Sequence, residues 1–448
     1  MNQSSLLPRY SQAIPRYTSY PTVPQWQAWN SRNLWIEQLR SVVGMQQEGI
    51  AIYIHLPYCE HLCTYCGCNK KITTNHQVEK PYIERLLKEW QLYVRELGNG
   101  LRIRELHLGG GTPTFFAPRE LKQLIDGIFN LAQAHPQLEM SFEGHPNNTT
   151  FEHLQVLSEL GFQRVSFGVQ DLDHEVQRVI NRIQPLENLV QVTQWSRSLG
   201  YESVNYDLVY GLPLQTEEKL AKTLAEVIAL RPDRVAFYGY AHVPWKSRAQ
   251  RLYDESHLPM PEQRVVLYEM GRQAFFEAGY EDIGMDHFAL PKDGLLKAMH
   301  SKTLHRNFMG YTANPSHVLI GLGVSAISDL GNAFGQNSKE LTQWERMVDA
   351  GEFPIDKGHI LSEEDSIRQK LILQMSCLGE VELPQTWVFS PHQQALLAQM
   401  LSDELLILNG NHLALTAIGK LFTRHACSLF DAYLTPENTL IKQFSQAV

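Results

Sequence analysis

Between residues 50 and 240 the chain alternates short runs of β-branched and aromatic residues with longer stretches whose apolar positions recur three and four apart. The runs are IAIYIHLP (50–57), IRELHLGGG (103–111), LEMSFEG (138–144), QRVSFGVQ (163–170), ESVNYDLVYG (202–211) and DRVAFYGYAH (233–242). Between them PYIERLLKEWQLYVREL (81–97), LENLVQVTQWSRSLG (186–200) and EEKLAKTLAEVIAL (217–230) carry the helical period. Consecutive strand–helix units pair in parallel through right-handed crossovers. Six such units fall short of the eight that close a full barrel. The pattern therefore predicts an α/β fold, a partial (β/α)6 TIM-like barrel with an N-terminal extension.

After residue 350 the pattern becomes mainly helical, with a hairpin signal at Asn409–Gly410 inside LLILNGNHLAL (405–415). A chain of 448 residues also exceeds the size at which single cores split. The expected division is an N-terminal segment over 1–48, the barrel with its active-site elaboration over 49–350 and a C-terminal helical domain over 351–448. PRYTSYPT (15–22) has no strand or helix period but concentrates an arginine and two tyrosines. It reads as a substrate gate rather than an element of the fold.

Parallel α/β folds place their chemistry at the carboxyl ends of the strands. Glu143, Gln170, Asp207, the pair Tyr240 and His242, and the glycines 109–111 all stand at such ends. Any one of them could simply cap the following helix. Several together point to a site.

Charge and composition narrow the chemistry. With 39 basic against 48 acidic residues the formal charge is −9, which argues against nucleic acid as a partner. The N-terminus has no apolar core of signal-peptide length, and the longest apolar stretch, VLIGLGVSAI (318–327), is shorter than the roughly 20 residues of a membrane helix. A cytoplasmic protein with no membrane contact is expected. In that reducing compartment clustered cysteines hold metals or react, rather than pair.

Four of the six cysteines lie in YCEHLCTYCGCN (58–69): Cys59, Cys63, Cys66 and Cys68. Structural zinc uses two separated ligand pairs, and this loop offers only one tight group, although His55 or His61 could complete a site. Iron–sulfur clusters are held by thiolates, and three ligands from one loop leave one iron open. Cys59, Cys63 and Cys66 provide that grip. Cys377 and Cys427 sit in helical apolar patterns and read as buried thiols.

The C-x3-C-x2-C spacing after the first strand, with Tyr65 before the third cysteine and GGGTP (109–113) after the second strand, resembles the radical S-adenosylmethionine enzymes. The resemblance implies a [4Fe–4S] cluster on Cys59, Cys63 and Cys66, whose open iron binds S-adenosylmethionine and whose electron releases a 5′-deoxyadenosyl radical. PRYTSYPT (15–22), YIHLPYC (53–59), CGCNK (66–70), SFGVQD (166–171), NRIQ (181–184), YDLVYGLP (206–213), YAHVP (240–244), GMDHFA (284–289), LHRNFMGYT (304–312) and GLGVSAIS (321–328) narrow it to the oxygen-independent coproporphyrinogen III oxidase family.

For that family the resemblance implies two S-adenosylmethionine molecules per chain. Tyr53, Gly110, Glu143 and Ile327 would contact the first, with Tyr65 close by, and Gly111, Thr112, Gln170, Arg182, Asp207 and Ala241 would hold the second. The implied reaction converts two propionates of coproporphyrinogen III to vinyl groups, giving protoporphyrinogen IX. Arg16 and Arg306, with Tyr20 and Tyr311, are the candidates for holding the anionic substrate. Cys68 would be a catalytic thiol rather than a cluster ligand. A low-potential electron donor such as flavodoxin or ferredoxin and a monomeric state are expected.

The chain reads EGHP (143–146) where the family commonly has a second acid, and GYTA (310–313) where it has two threonines. The alternatives are another tetrapyrrole-modifying radical enzyme and the related haem chaperones. The chaperones typically carry an aromatic residue at the position of Cys68 and lack PRYTSYP, so both features favour the oxidase.

Overall fold

The computed structural model describes residues 6, 9–10, 13–29, 32–44, 48–98 and 100–434. The remaining positions of the N-terminal segment and the tail 435–448 lie outside the described residues. Six strands follow the predicted pattern: β1 (Ile50–Leu56), β2 (Arg102–Gly110), β3 (Gln133–Gly144), β4 (Arg164–Gln170), β5 (Ser203–Tyr210) and β6 (Arg234–Gly239). They lie side by side in chain order, and each neighbouring pair is parallel. Along β1 every residue but Tyr53 is buried, as a strand covered on both faces requires. The helix Glu79–Leu97 packs on the sheet through Leu86, Trp90, Tyr93 and Leu97 and stops at Gly98, whose φ of 85° suits a residue without Cβ.

The sheet continues beyond the six strands. Leu319–Leu322 adds in parallel beside β1, and the antiparallel strands Ile327–Asp329, Ala333–Asn337, Ile355–Ile360 and Gln27–Ala28 follow it. At the other end His287–Ala289 adds antiparallel to β6, and Glu281–Asp282 adds antiparallel to His287–Ala289. These additions cover the edges that an open barrel would otherwise expose. Because Ile355–Ile360 belongs to this sheet, the sheet runs past residue 350, and the C-terminal unit begins at the Ser362 capping box of helix Glu363–Leu378. That unit adds helices Pro391–Ser402 and Thr423–Ser428 to a three-stranded sheet. Its hairpin pairs Leu406–Asn409 with His412–Leu415, and Gly410 turns the chain at φ 64°. Cys377 and Cys427 are buried free thiols.

The N-terminal segment departs from the expectation that it contributes little to the fold. Leu6, Tyr10, Ile14, Tyr17 and Tyr20 are buried in one cluster with Leu371, Met375, Met400 and Phe430 of the C-terminal unit. Tyr10 donates to Asp403 at 2.9 Å and Tyr17 to Asp431 at 3.0 Å. PRYTSYPT lacks a period because it is irregular chain laid over another domain's core. The helix Arg32–Ser41 follows and packs Trp35 and Leu39 on the main sheet. Among the described residues no helix is long and apolar enough to cross a membrane.

Candidate active site

A cavity of about 660 Å³ opens at the carboxyl ends of the parallel strands. Gly110 at the end of β2, Glu143 and Gly144 of β3, Gly168 and Gln170 of β4, Asp207 and Val209 of β5 and Tyr238 and Gly239 of β6 line it. The loop after β1 supplies the opposite wall, with Cys59, Cys63 and Cys66 half-buried and Cys68 exposed. The glycines at the strand ends are demanded by packing. A Cβ on Gly110 would lie 2.8 Å from the His55 ring, and one on Gly111 2.5 Å from the Pro57 carbonyl oxygen.

The three thiols differ in electrostatics. Burial raises Cys59 to about 11, against a hydrogen bond from Thr112 Oγ1 at 3.3 Å. Cys66 is drawn down to about 6, first by a hydrogen bond from the Cys68 thiol and then, against burial, by the charge of Lys70. Arg182 Nη1 reaches Cys63 Sγ at 3.6 Å while its Nη2 donates to the Gly168 carbonyl at 2.6 Å. Thiolates are the metal-binding form, and this loop surrounds its sulfurs with donors and positive charge.

Two carboxylates face the same space. The buried setting of Glu143 opposes its charge, but His107, the Gly110 N–H at 3.2 Å and His55 outweigh it and hold the carboxyl below its ordinary value. Asp207 accepts from Ser166 Oγ at 3.0 Å and Asn205 Nδ2 at 2.9 Å, yet burial and then the charge of Glu143 push it up to about 6. Gln170 sits at φ 65° beside an irregularity in the β4–β5 register. Such a backbone is uncommon for a residue with a Cβ, and here it ends β4 at the cavity.

A model of the Radical SAM superfamily matches residues 53–227. The oxygen-independent coproporphyrinogen III oxidase of Pseudomonas aeruginosa is 36% identical over 99% of this chain and 98% of its own length. That of Escherichia coli is 35% identical over 99% and 98%. The chain belongs to the oxygen-independent coproporphyrinogen III oxidase family. The solved coproporphyrinogen III oxidase from Escherichia coli, a radical SAM enzyme, superposes with a TM-score of 0.88 at 34% identity, over 94% of this chain and 100% of that one.

Radical SAM membership implies a [4Fe–4S] cluster and S-adenosylmethionine, and the residues present fit both. Among the described residues no three His, Cys, Asp or Glu side chains converge as a single ion requires. The thiols instead line one side of an open cavity, as a polynuclear group needs. Across it the buried Arg182 Nε has no hydrogen-bond partner, which leaves a donor for an anionic group.

Of the residues expected in the site, Cys59, Cys63, Cys66, Cys68, Tyr65, Gly110, Gly111, Thr112, Glu143, Gln170, Arg182, Asp207, Ala241 and Arg16 line this one cavity. Five do not reach its wall. Tyr53 stands behind the glycines, its ring stacked on His107 and its hydroxyl 3.1 Å from His55 Nδ1. Ile327 lies two strands outward from β1. Tyr20 is a core residue at 1% exposure, its hydroxyl accepting from the Ala432 N–H at 3.0 Å. Tyr311 donates to the Ser376 carbonyl at 3.1 Å, and Arg306 lies over its ring and donates to the Arg16 carbonyl at 2.8 Å. Tyr20 and Tyr311 thus spend their hydroxyls within the fold, whereas Arg306 holds the Arg16 backbone and keeps its buried Nε without a hydrogen-bond partner.

Sequence reasoning missed Gln250. At 1% exposure its amide donates to the Tyr65 carbonyl at 2.9 Å and the Ala241 carbonyl at 3.1 Å, while its oxygen accepts from the Val243 N–H at 2.6 Å. One side chain thus ties the thiol loop to the loop after β6. Replacing it with leucine strands three backbone groups at roughly 1–3 kcal/mol each. Gln250→Leu is expected to lose cluster iron to a chelator several-fold faster than the unmodified protein while keeping its far-UV circular dichroism. Equal rates of iron loss would remove this clamp from the account.

Proposed function

We propose that this chain converts two propionate side chains of coproporphyrinogen III to vinyl groups, giving protoporphyrinogen IX, with a cluster on Cys59, Cys63 and Cys66 and two S-adenosylmethionine molecules. The observation that carries this reading is the convergence of those thiols, Glu143, Arg182 and Asp207 on one cavity, in a chain that matches named oxidases end to end. When bound, the cluster and S-adenosylmethionine would supply the radical chemistry that takes a hydrogen atom from a propionate β-carbon; each side chain would then lose CO2 and pass one electron to a one-electron acceptor. The chain's own residues bind, orient and screen.

Glu143, held ionised, suits the cationic amino group of the first molecule, next to Gly110. The guanidinium of Arg182 suits a carboxylate, and Asp207 suits ribose hydroxyls. Gly111, Thr112, Gln170 and Ala241 complete the second pocket. Arg16 is the propionate anchor: its guanidinium enters the cavity, donates to the Gly239 carbonyl at 3.1 Å and lies over the Tyr238 ring. Arg264, Arg306 and Arg424 add positive charge around it, opposed by Asp286. Cys68 stays off the cluster, since a fourth thiolate would occupy the iron needed by S-adenosylmethionine.

Anaerobic incubation with S-adenosylmethionine, a reductant and coproporphyrinogen III tests the reaction. Vinyl-bearing product is expected from the unmodified protein, whereas Cys68→Ser should cleave the cofactor without making it. Absence of product from a fully loaded protein would refute the reading. Asp207 gives the second pocket a pH dependence. Its carboxyl is protonated below about 6 and then accepts fewer hydroxyl bonds, so the second molecule should bind more weakly as pH falls through that value. Equilibrium dialysis should find two molecules per chain falling to one in Asp207→Asn, with the remaining binding insensitive to this titration. One molecule per unmodified chain would overturn the assignment.

A further inference from the structure

Among the described residues no acid pairs with Arg182. Its Nη2 donates to the Gly168 carbonyl and its Nη1 to Cys63 Sγ, while the buried Nε has no hydrogen-bond partner. The three carboxylates on the cavity wall are engaged elsewhere. Glu60 accepts from Asn148 Nδ2 at 2.7 Å and faces His76 at 3.4 Å. Glu143 accepts from the Gly110 N–H, and Asp207 from Ser166 and Asn205.

His145, just past the end of β3, lines the same cavity close enough to Arg182 to feel its charge. The turn after β3 fixes the state of its ring. Nδ1 accepts the Asn147 N–H at 3.1 Å, so its lone pair is used and the proton sits on Nε2. Burial, then the charges of Arg182 and His61, hold the ring well below the ordinary imidazole value, which agrees with a neutral side chain. Among the described residues nothing accepts from Nε2. The neighbouring amides are spent, Asn147 Nδ2 on the Ile183 carbonyl at 2.9 Å and Asn181 Nδ2 on the Leu62 carbonyl at 2.7 Å. One imidazole N–H and one guanidinium N–H, carrying a single positive charge with no acid beside it, match a carboxylate with two oxygens and one negative charge.

We infer that His145 Nε2 and Arg182 Nε together bind the methionyl carboxylate of the second S-adenosylmethionine, and that His145 makes this pocket selective for ligands that carry that group. His145 is a binding residue here and takes no part in bond making. An acid at the same place would pair with Arg182, cancel the charge the ligand needs and repel the incoming carboxylate.

The inference rests on the two-molecule reading above, and the experiment separates the two. Equilibrium dialysis of cluster-loaded protein compares S-adenosylmethionine with decarboxylated S-adenosylmethionine, which keeps the nucleoside and sulfonium but lacks the carboxylate. The second-site constant is the one that Asp207→Asn removes. The variants are His145→Asn and His145→Asp, whose side-chain oxygens still accept the Asn147 N–H two residues on and so keep the turn. His145→Asp is expected to weaken the second site for S-adenosylmethionine by about tenfold or more, the effect of one charge-assisted hydrogen bond, and His145→Asn by less. Neither should weaken binding of the decarboxylated ligand. An unchanged second-site constant in His145→Asp would overturn the assignment. So would an equal loss for both ligands, which would make the residue a support of the pocket's shape. One molecule per unmodified chain would reject the two-molecule reading itself, and this assignment with it.

Discussion

Serine at Cys59, Cys63 or Cys66 is expected to abolish both the cluster's visible absorption and all cleavage of S-adenosylmethionine. A hydroxyl is a harder, far less acidic ligand than a thiol, and iron–sulfur clusters are held by soft thiolates. With only three protein ligands, losing one leaves two irons without a protein grip. The surrounding loop should survive, because its backbone is fixed by Gln250, Ser247 and Asn69 rather than by the thiols. The variants should therefore melt close to the unmodified apoprotein. Cys66 calls for one extra control, since Cys68 lies against it and is the nearest replacement donor. Iron content and absorption should be compared in Cys66→Ser and in Cys66→Ser with Cys68→Ser, and full iron in Cys59→Ser or Cys63→Ser would refute the ligand set.

The six parallel strands and the position of the site were readable because both depend on local period. An apolar run of seven or eight residues, a helix of helical spacing and a polar residue at the strand's end leave marks within one window. Several of the additions at the sheet's edges leave none, because His287–Ala289, Ile327–Asp329 and Gln27–Ala28 are only two or three residues long. Gln250 was invisible for another reason. A lone glutamine in SRAQRLYD carries no pattern, and its meaning comes entirely from carbonyls brought to it from residues 65 and 241. Tyr20 and Tyr311 show the converse: an aromatic residue with a hydroxyl looks the same in sequence whether it faces a ligand or closes a core. Arg424 was passed over within a helical stretch, yet it is half-buried and donates to the carbonyls of Ile14 and Pro15.

Deleting residues 1–22 is expected to destabilise the protein strongly as well as stop turnover. Leu6, Tyr10, Ile14, Tyr17 and Tyr20 are all buried against the C-terminal unit, and each such side chain is worth roughly 1.5–3 kcal/mol on burial. Their sum is comparable to the whole stability of a typical domain, about 5–15 kcal/mol. The deletion also removes the carbonyls that Arg306 and Arg424 hydrogen-bond, and it takes Tyr10 and Tyr17 from Asp403 and Asp431. A buried charge or carboxylate that loses its partner costs more than the bond itself. The melting temperature should fall by more than about 10 °C, given the few degrees that each kcal/mol moves a domain of moderate size, and the C-terminal unit should become sensitive to limited proteolysis. Arg16→Ala separates the two roles of the segment. Among the described residues its guanidinium hydrogen-bonds only the Gly239 carbonyl, so this variant should melt near the unmodified protein while its KM for coproporphyrinogen III rises. A truncated protein that melts normally would reject the structural role, and an Arg16→Ala variant with normal turnover would reject the anchor.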